Sequence, residues 1–164
     1  MGTGQILITL SAMILLSMVI LRTNTSFLMT DSVLYETKYE VLAVSIATSI
    51  IEEANGKAFD AMTDTATVLS TTDLTSAYGL GPGSGETYED FNDFDDFNGY
   101  TRADSSMPSA IFDIACKVSY VSPDNPDVDV NTRTWHKKIT VDVFSKSMAD
   151  TITMSSIFSY WFYR

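Results

Sequence analysis

The residues best suited to binding chemistry lie in an acidic segment in the middle of the chain. Residues 86–104 hold seven acids and one base, a net charge of −6, while the whole chain carries −11. Within this segment, Asp93, Asp95, Asp96 and Asn98 offer the hard oxygen ligands that Ca²⁺ prefers. The twelve-residue spacing of an EF-hand, with its terminal Glu, is absent. We therefore treat the segment as a candidate Ca²⁺ loop, and Ca²⁺ is the one cofactor that the residues suggest.

The same segment has a second interpretation that needs no metal. Phe91, Phe94 and Phe97 recur at every third position between the acids. Aromatic side chains bury a large apolar area, so these three are expected to anchor the segment to the rest of the domain. The acids would then form a solvated loop around the rings.

Catalytic chemistry has little support. His136 and Cys116 are the only histidine and the only cysteine, which excludes a disulfide framework and leaves too few soft ligands for a zinc site. His136 is expected on an outward strand position, exposed or touching a neighbour, and Cys116 on an inward one as an inert thiol. No serine or cysteine nucleophile is matched with a second basic partner. We expect no catalytic residue, no firm metal site and no enzymatic activity, and the acidic balance excludes a nucleic-acid partner.

The elements that must position these residues begin with a long helix. Residues 1–21 contain no charged side chain, and they span about 30 Å as a helix, roughly one bilayer core. Helical spacing of apolar residues continues to Ala61 without a proline, which predicts one helix of about 85 Å over residues 4–61. Its amphipathic second part is expected to pack under a sheet, while its first part projects. A weak point is expected at residues 23–26.

A cleaved secretory signal peptide is the alternative for the apolar start. Such a peptide has a basic region before its apolar run and a small-residue cleavage site after it. Residues 1–5 carry no Lys or Arg, and the residues after Leu21 are Arg-Thr-Asn-Thr-Ser-Phe. The pattern therefore favours a retained membrane or filament segment.

Residue spacing changes from a helical period to a period of two in the last third of the chain. Residues 111–121, 135–145 and 151–163 alternate between apolar and polar side chains, which predicts three antiparallel strands with one apolar face. The predicted fold is α+β, with the long helix packed on a C-terminal sheet meander. The domains are residues 1–61 as the helix, with 1–21 apolar, and 62–164 as a head with a loop at 62–110 and the sheet at 111–164.

Two further groups of side chains on this head could contact neighbouring subunits. The aromatic tail, residues 158–163, suits either the last core strand or a contact between subunits. The basic residues Arg102, Lys117, Lys137 and Lys138 are expected on the outer surface, where they could meet acids of neighbouring subunits.

The order of these parts resembles the type IV pilin and pseudopilin family, and is closest to its minor pilins. Residues 43–54 (AVSIATSIIEEA) are similar to the helix end before the family's loop. Residues 95–100 (DDFNGY) look like its Asp-Asp-x-x-Gly-Tyr loop, and residues 138–143 with 151–156 look like its terminal hairpin. The resemblance implies a pilin-like fold and a structural subunit of an extracellular type IV pilus-like filament at the cell surface.

The resemblance also implies how such a subunit assembles. The chain would wait in the inner membrane, and an assembly platform with its motor would extract it into a homopolymer held by bundled N-terminal helices. The implied polymerisation core is Gln5, Ile6, Leu7, Ile8, Thr9, Leu10, Met13, Ile14, Leu15, Leu16, Met18, Val19, Ile20 and Leu21. Two alternatives stay open: a minor pseudopilin of a secretion system, and a single-pass membrane protein with a ligand- or ion-binding β domain.

One position departs from the family pattern. The family carries a Glu near the start of the mature helix, where it pairs with a neighbour's free amine. If Met1 is the mature terminus, Gln5 stands at that position, and if cleavage follows Gly4, Thr9 does. Neither side chain can form an ion pair, so replacement of Gln5 by Leu is expected to be tolerated better than an apolar replacement of a true Glu.

Overall fold

The computed structural model describes residues 2–106 and 110–161. The chain divides into two compact units, Met1–Lys38 and Tyr39–Arg164. One helix, α1 (Thr3–Asn55), supplies nearly all of the first unit and the first element of the second. The helix is unbroken at residues 23–26, where the hydroxyls of Thr23 and Thr25 donate to carbonyls one turn back. The expected weak point is therefore absent from this helix.

Helix α1 ends at Asn55, six residues before the predicted end at Ala61. The backbone leaves the helix because Ala58 exchanges hydrogen bonds with another segment: its N–H donates to Asn92, and its carbonyl accepts from the N–H of Phe94. Asp60 then caps a new short helix, α2 (Ala61–Thr65), by accepting from the N–H of Met62. The helical spacing of apolar residues did not reveal that one helix ends and a second, capped helix begins here.

The second unit packs the last turns of α1 against the sheet. A stripe of helix residues is buried: Ala43, Ala47, Ile50, Ile51 and Ala54. These side chains recur at three- and four-residue steps on one face, and the three alanines let the helix lie close to its partners. The cluster they join contains the inward residues of the two central strands and the three phenylalanines of the acidic segment. The predicted helix-on-sheet α+β arrangement is confirmed at this level.

The sheet has five antiparallel strands where three were expected. They are β1 (Thr101–Asp104), β2 (Phe112–Ser122), β3 (Asn125–Val130), β4 (His136–Phe144) and β5 (Ile152–Ser159). The order is β1-β2-β4-β5, and β3 pairs with the end of β2. Strands β1 and β3 were missed because their residues are almost all exposed, so they lack the alternating apolar pattern. The predicted boundary between loop and sheet at residue 111 is wrong for the same reason.

The inward faces of the two central strands follow the predicted alternation. In β2 and β4 every second residue is buried, and the two strands pair from Asp113 opposite Phe144 to Tyr120 opposite Lys137. Strand β5 is only half-buried and ends at Ser159, before the expected end at Tyr163. Phe162 and Tyr163 lie outside the described residues.

The segment between α2 and β1 was expected to be an irregular loop. It contains three short 3₁₀ turns, at Thr71–Asp73, Tyr88–Asp90 and Asp95–Phe97. Gly99 follows the last turn with a φ of 78°, a left-handed conformation that a side chain would strain. This turn places Gly99 and Tyr100 beside strand β2. The N–H of Gly99 donates to the Cys116 carbonyl, and the N–H of Cys116 donates to the Tyr100 carbonyl.

Candidate functional site

The first unit presents an apolar surface along the whole of its helix. Every residue from Gly2 to Tyr35 is exposed, and the large apolar side chains between Ile6 and Leu21 are 52–71% exposed. This surface contains all fourteen residues predicted for the polymerisation core, including Gln5 and Thr9. By length and composition the helix is able to cross a membrane, and none of its most apolar window is buried.

The hydroxyl groups on this surface do not make it polar. Thr9, Ser11 and Ser17 donate to carbonyls three or four residues back, at 2.8–2.9 Å, so their hydrogen-bonding capacity is used within the helix. Small hydroxyl side chains in a helix commonly bond back to carbonyls in this way. The surface offers neighbouring molecules mainly hydrocarbon.

The apolar surface is longer than predicted. Residues 27–35 were assigned to the part of the helix that packs under the sheet, yet Phe27, Leu28, Met29, Val33 and Leu34 are 60–70% exposed. Packing in the second unit begins at Tyr39 and becomes complete at Ala43. Apolar periodicity could not locate this change, because the same spacing serves a sheet, a lipid or another helix.

The acidic segment, in contrast, is buried in the second unit. Phe91, Phe94 and Phe97 are 0–5% exposed, which confirms them as anchors. The expectation of solvated acids is wrong, since Asp93, Asp95 and Asp96 are only 2–3% exposed. Burial of three carboxylates is costly unless each has partners, and the structure supplies them from the backbone and from one lysine.

Two of these acids are held by backbone amides. Asp93 Oδ1 accepts from the N–H of Asp95 at 2.8 Å and of Asp96 at 3.3 Å. Asp96 Oδ2 accepts from the N–H of Asn92 at 2.9 Å and of Asp93 at 3.1 Å. Burial raises the pKa of Asp93 to about 8, helped by its hydrogen bond to and repulsion from Asp95. These contacts make the segment a rigid, self-capped turn.

The third acid joins a buried ion cluster that the residues alone did not predict. Lys137 is fully buried, and its Nζ lies 2.5 Å from Asp95 Oδ1 and 2.7 Å from Asp60 Oδ2. Nζ also donates to the Phe59 carbonyl at 2.9 Å. The expectation that Lys137 faces neighbouring subunits is therefore wrong, because its place in β4 shares the inward phase of Ile139, Val141 and Val143.

The two aspartates respond differently to the lysine. Burial tends to raise the pKa of Asp60, but the charge and hydrogen bond of Lys137 outweigh it, and the pKa is lowered. Burial raises the pKa of Asp95 despite the same lysine. Asp60 is thus the stably ionised partner, and Asp95 is the less well-stabilised one.

The predicted Ca²⁺ ligands have other partners in this arrangement. The Asn98 Oδ1 accepts from the N–H of Val118 at 2.9 Å, and its Nδ2 donates to the Leu80 carbonyl. Among residues 2–106 and 110–161, no group of three or more His, Cys, Asp or Glu side chains is arranged to hold a metal ion. Binding of Ca²⁺ by Asp93, Asp95, Asp96 and Asn98 stays a prediction.

The remaining predicted residues lie on or within the sheet. Cys116 is buried, as expected, and burial raises the pKa of its thiol to about 12. His136 is half-buried, and its Nδ1 lies 2.7 Å from Ser159 Oγ on the paired strand. Lys117 and Lys138 both pair with Asp129, at 2.6 and 3.0 Å. These two lysines already have an acidic partner within their own chain.

The described part of the aromatic tail is partly core and partly surface, and a contact between subunits stays a prediction. Phe158 packs with Phe59 and Phe94, and Tyr160 stacks on Trp135 with ring centroids 5.4 Å apart. Trp161 is 73% exposed beside them. A cleft of about 450 Å³ lies here, lined by Val68, Leu69, Trp135, His136, Ser159, Tyr160 and Trp161. The tail is therefore core up to Tyr160 and surface at Trp161.

Comparison of the chain with protein-family models, with curated proteins and with solved structures finds no match. Its function has to be argued from the two features above, which are the exposed apolar helix and the buried ion cluster.

Proposed function

We propose that the protein is a structural subunit of an extracellular type IV pilus-like filament. In this proposal the helices of many copies bundle through the apolar surface between Gln5 and Tyr35, after the chain has been held in the inner membrane. The single observation that supports it is the exposure of every residue from Gly2 to Tyr35 on a helix whose later turns form a domain core.

The exposed apolar side chains of the helix are unfavourable in water. Burying one Leu, Ile or Met side chain is worth roughly 1.5–3 kcal/mol, and twelve large apolar residues between Ile6 and Leu21 are more than half exposed. A surface of this kind needs lipid or other protein around it. Transfer from lipid to a bundle of like helices keeps it out of water throughout, so assembly has no large hydration penalty.

The apolar surface of the helix is longer than a simple membrane span needs. Arg22 is the only charged residue between Thr3 and Thr30. Beyond it, the exposed apolar residues from Phe27 to Tyr35 extend the surface past the length that a bilayer core covers, which is about 20 residues. A bundle of identical helices covers this extra length, whereas a simple membrane span leaves it outside the hydrocarbon.

The experiment compares two aspartate substitutions of exposed leucines. Leu10 is 55% exposed on the helix surface, and Leu69 is 72% exposed on the sheet-bearing unit, which makes Leu69→Asp a matched control. The purified full chain is freed of detergent and viewed by negative-stain electron microscopy. We expect filaments from the wild type and from Leu69→Asp. We expect none from Leu10→Asp, because an Asp at the centre of an apolar helix costs about 3 kcal/mol.

Three other results would contradict the proposal. Wild-type chain that stays monomeric in detergent and inserts into vesicles as single copies would indicate a membrane-anchored β domain. Filaments that persist in Leu10→Asp would show that assembly uses another surface. Short filaments formed only with an added partner chain would indicate the pseudopilin alternative.

A further inference from the structure

The buried cluster around Lys137 has the geometry of an amine next to a carboxyl group that could acylate it. Nζ of Lys137 is within 2.5 Å of Asp95 Oδ1 and 2.7 Å of Asp60 Oδ2, and the three side chains are 0–3% exposed. The residues are far apart in the chain, since Lys137 lies 42 positions after Asp95. The fold has therefore brought the amine of Lys137 and the carboxyl groups of Asp95 and Asp60 together at a site that is closed to solvent.

The two carboxylates of the cluster are not equivalent. Asp60 accepts hydrogen bonds from Met62 N–H at 3.1 Å, from the N–H and hydroxyl of Thr75 at 2.9–3.2 Å, and from the hydroxyl of Tyr120 at 3.3 Å. These neutral donors add to the charge and hydrogen bond of Lys137, and together they hold the negative charge of Asp60 against the effect of burial. Asp95 has fewer donors, namely Lys137 at 2.5 Å and the side chain of Asp93. Asp60 is the carboxylate that stays ionised and can receive the lysine proton, and Asp95 is the acyl group.

Two aromatic rings cover the amine and keep it out of water. The Phe59 ring centroid lies 4.7 Å from Lys137 Nζ, and the Tyr120 ring centroid lies 5.3 Å away. Phe94, which is fully buried in the adjoining cluster, closes the apolar packing around the acidic turn. An ion pair in such a place has lost its hydration, and a neutral product of similar volume is often the more stable occupant. A condensation that releases water is favoured where water is scarce.

We propose that Lys137 and Asp95 form an intramolecular isopeptide bond, with Asp60 as the catalytic base. The ammonium of Lys137 gives a proton to the Asp60 carboxylate. The free amine attacks Cγ of Asp95, a C–N bond forms, and a C–O bond of the carboxyl group breaks. Asp60 returns its proton to the departing oxygen, which takes a second hydrogen from the nitrogen and leaves as water. One ammonium and one carboxylate become one amide and one water, with no change of oxidation state.

The bond joins the acidic turn to strand β4 and closes a covalent ring within the second unit. Lys137 sits between Tyr120 of β2 and Phe158 of β5, so the crosslink ties the turn to the middle of the sheet. Unfolding would then leave the ring closed, which limits the disorder that the unfolded chain can gain. The inference does not depend on filament formation, because it rests on the second unit alone.

A tryptic digest of the folded full-length chain tests the inference on the wild type. Cleavage after the basic residues yields linear peptides 58–102 and 134–137 if the side chains are free. An acylated Lys137 resists trypsin, so condensation gives a branched peptide of residues 58–102 and 134–138. The mass of this branched peptide equals the sum of linear 58–102 and linear 134–138, less one water. Fragmentation is expected to place the link at Asp95. Recovery of only linear peptides, or a link at Asp60, would overturn the assignment.

Variants give a second measurement with a matched control. Lys137→Arg retains a cation but cannot form this amide, and Asp60→Asn retains a hydrogen-bond acceptor but cannot carry the proton. Both are expected to give the mass of the uncondensed chain, whereas Lys138→Arg, at the next position, retains the loss of water. A full loss of water in Asp60→Asn would remove the base from the mechanism. The wild-type digest decides the bond itself, even if a variant fails to fold.

Discussion

Replacement of Lys137 by Met tests the energetic role of the buried cluster. Met keeps most of the side-chain volume and removes the charge and three hydrogen bonds, to Phe59, Asp60 and Asp95. Asp60 and Asp95 then lie buried without a cation. Removing one partner of a buried ion pair typically costs about 3–5 kcal/mol, because the remaining charge has neither water nor a counterion.

The matched control is Lys138→Met at the next position of the strand. Lys138 pairs with Asp129 at 3.0 Å, but the Asp129 side chain is 35% exposed and water shares the interaction. An exposed pair is worth about 0–1 kcal/mol, so this variant is expected to melt within a few degrees of the wild type.

The assay is thermal unfolding of the full chain in detergent, followed by the fluorescence of Trp135 and Trp161. One kcal/mol shifts the Tm of a domain of this size by about 4 °C. Lys137→Met is therefore expected to melt roughly 12–20 °C below a chain with the ion pair intact at neutral pH, and further below a wild type that carries the Lys137–Asp95 amide, because Met also removes that crosslink. The difference is expected to shrink at low pH, because protonation removes the charges of the two unpaired aspartates. A Tm within a few degrees of that of Lys138→Met would refute the reasoning.

Three further predictions concern single residues. Asp93→Asn is expected to stabilise the chain at pH 8 and to do so less towards pH 4, by at most about 1.4 kcal/mol per pH unit. The sign follows because a pKa raised from 3.8 to about 8 costs stability as pH rises through that interval, and Tm measured against pH checks it. Cys116 is expected to resist iodoacetamide at pH 8 until the chain unfolds, since its pKa is about 12, and rapid labelling of native protein would contradict this. Gln5→Leu is expected to assemble filaments as well as the wild type, and complete loss of filaments would show that its amide is needed.

Periodicity in the sequence predicted the elements that bury one face. The inward residues alternate from Phe112 to Tyr120 in β2 and from Lys137 to Val143 in β4, so both strands and the inert position of Cys116 could be found from spacing. Lys137 was in the same phase as Ile139 and Val141, but its charge suggested a surface position. Periodicity therefore held more information about this residue than its type.

Other parts depended on contacts that spacing does not contain. Asp60 lies 77 positions from Lys137 in the chain, so no local pattern links the two residues. Strand β3 carries Pro126 and alternates acids with small apolar residues on an exposed edge, which is typical of a turn-rich segment as well. The sequence also could not show that close packing of the helix starts near Ala43, because the helix is apolar both before and after this residue.

The most direct test of the central claim is a helical reconstruction of wild-type assemblies by electron cryomicroscopy. The account predicts filaments in which residues 3–35 of neighbouring copies pack against one another as a continuous bundle of α-helices. Assemblies held together by the sheet-bearing units, with the apolar helices in detergent or lipid and not touching one another, would contradict it.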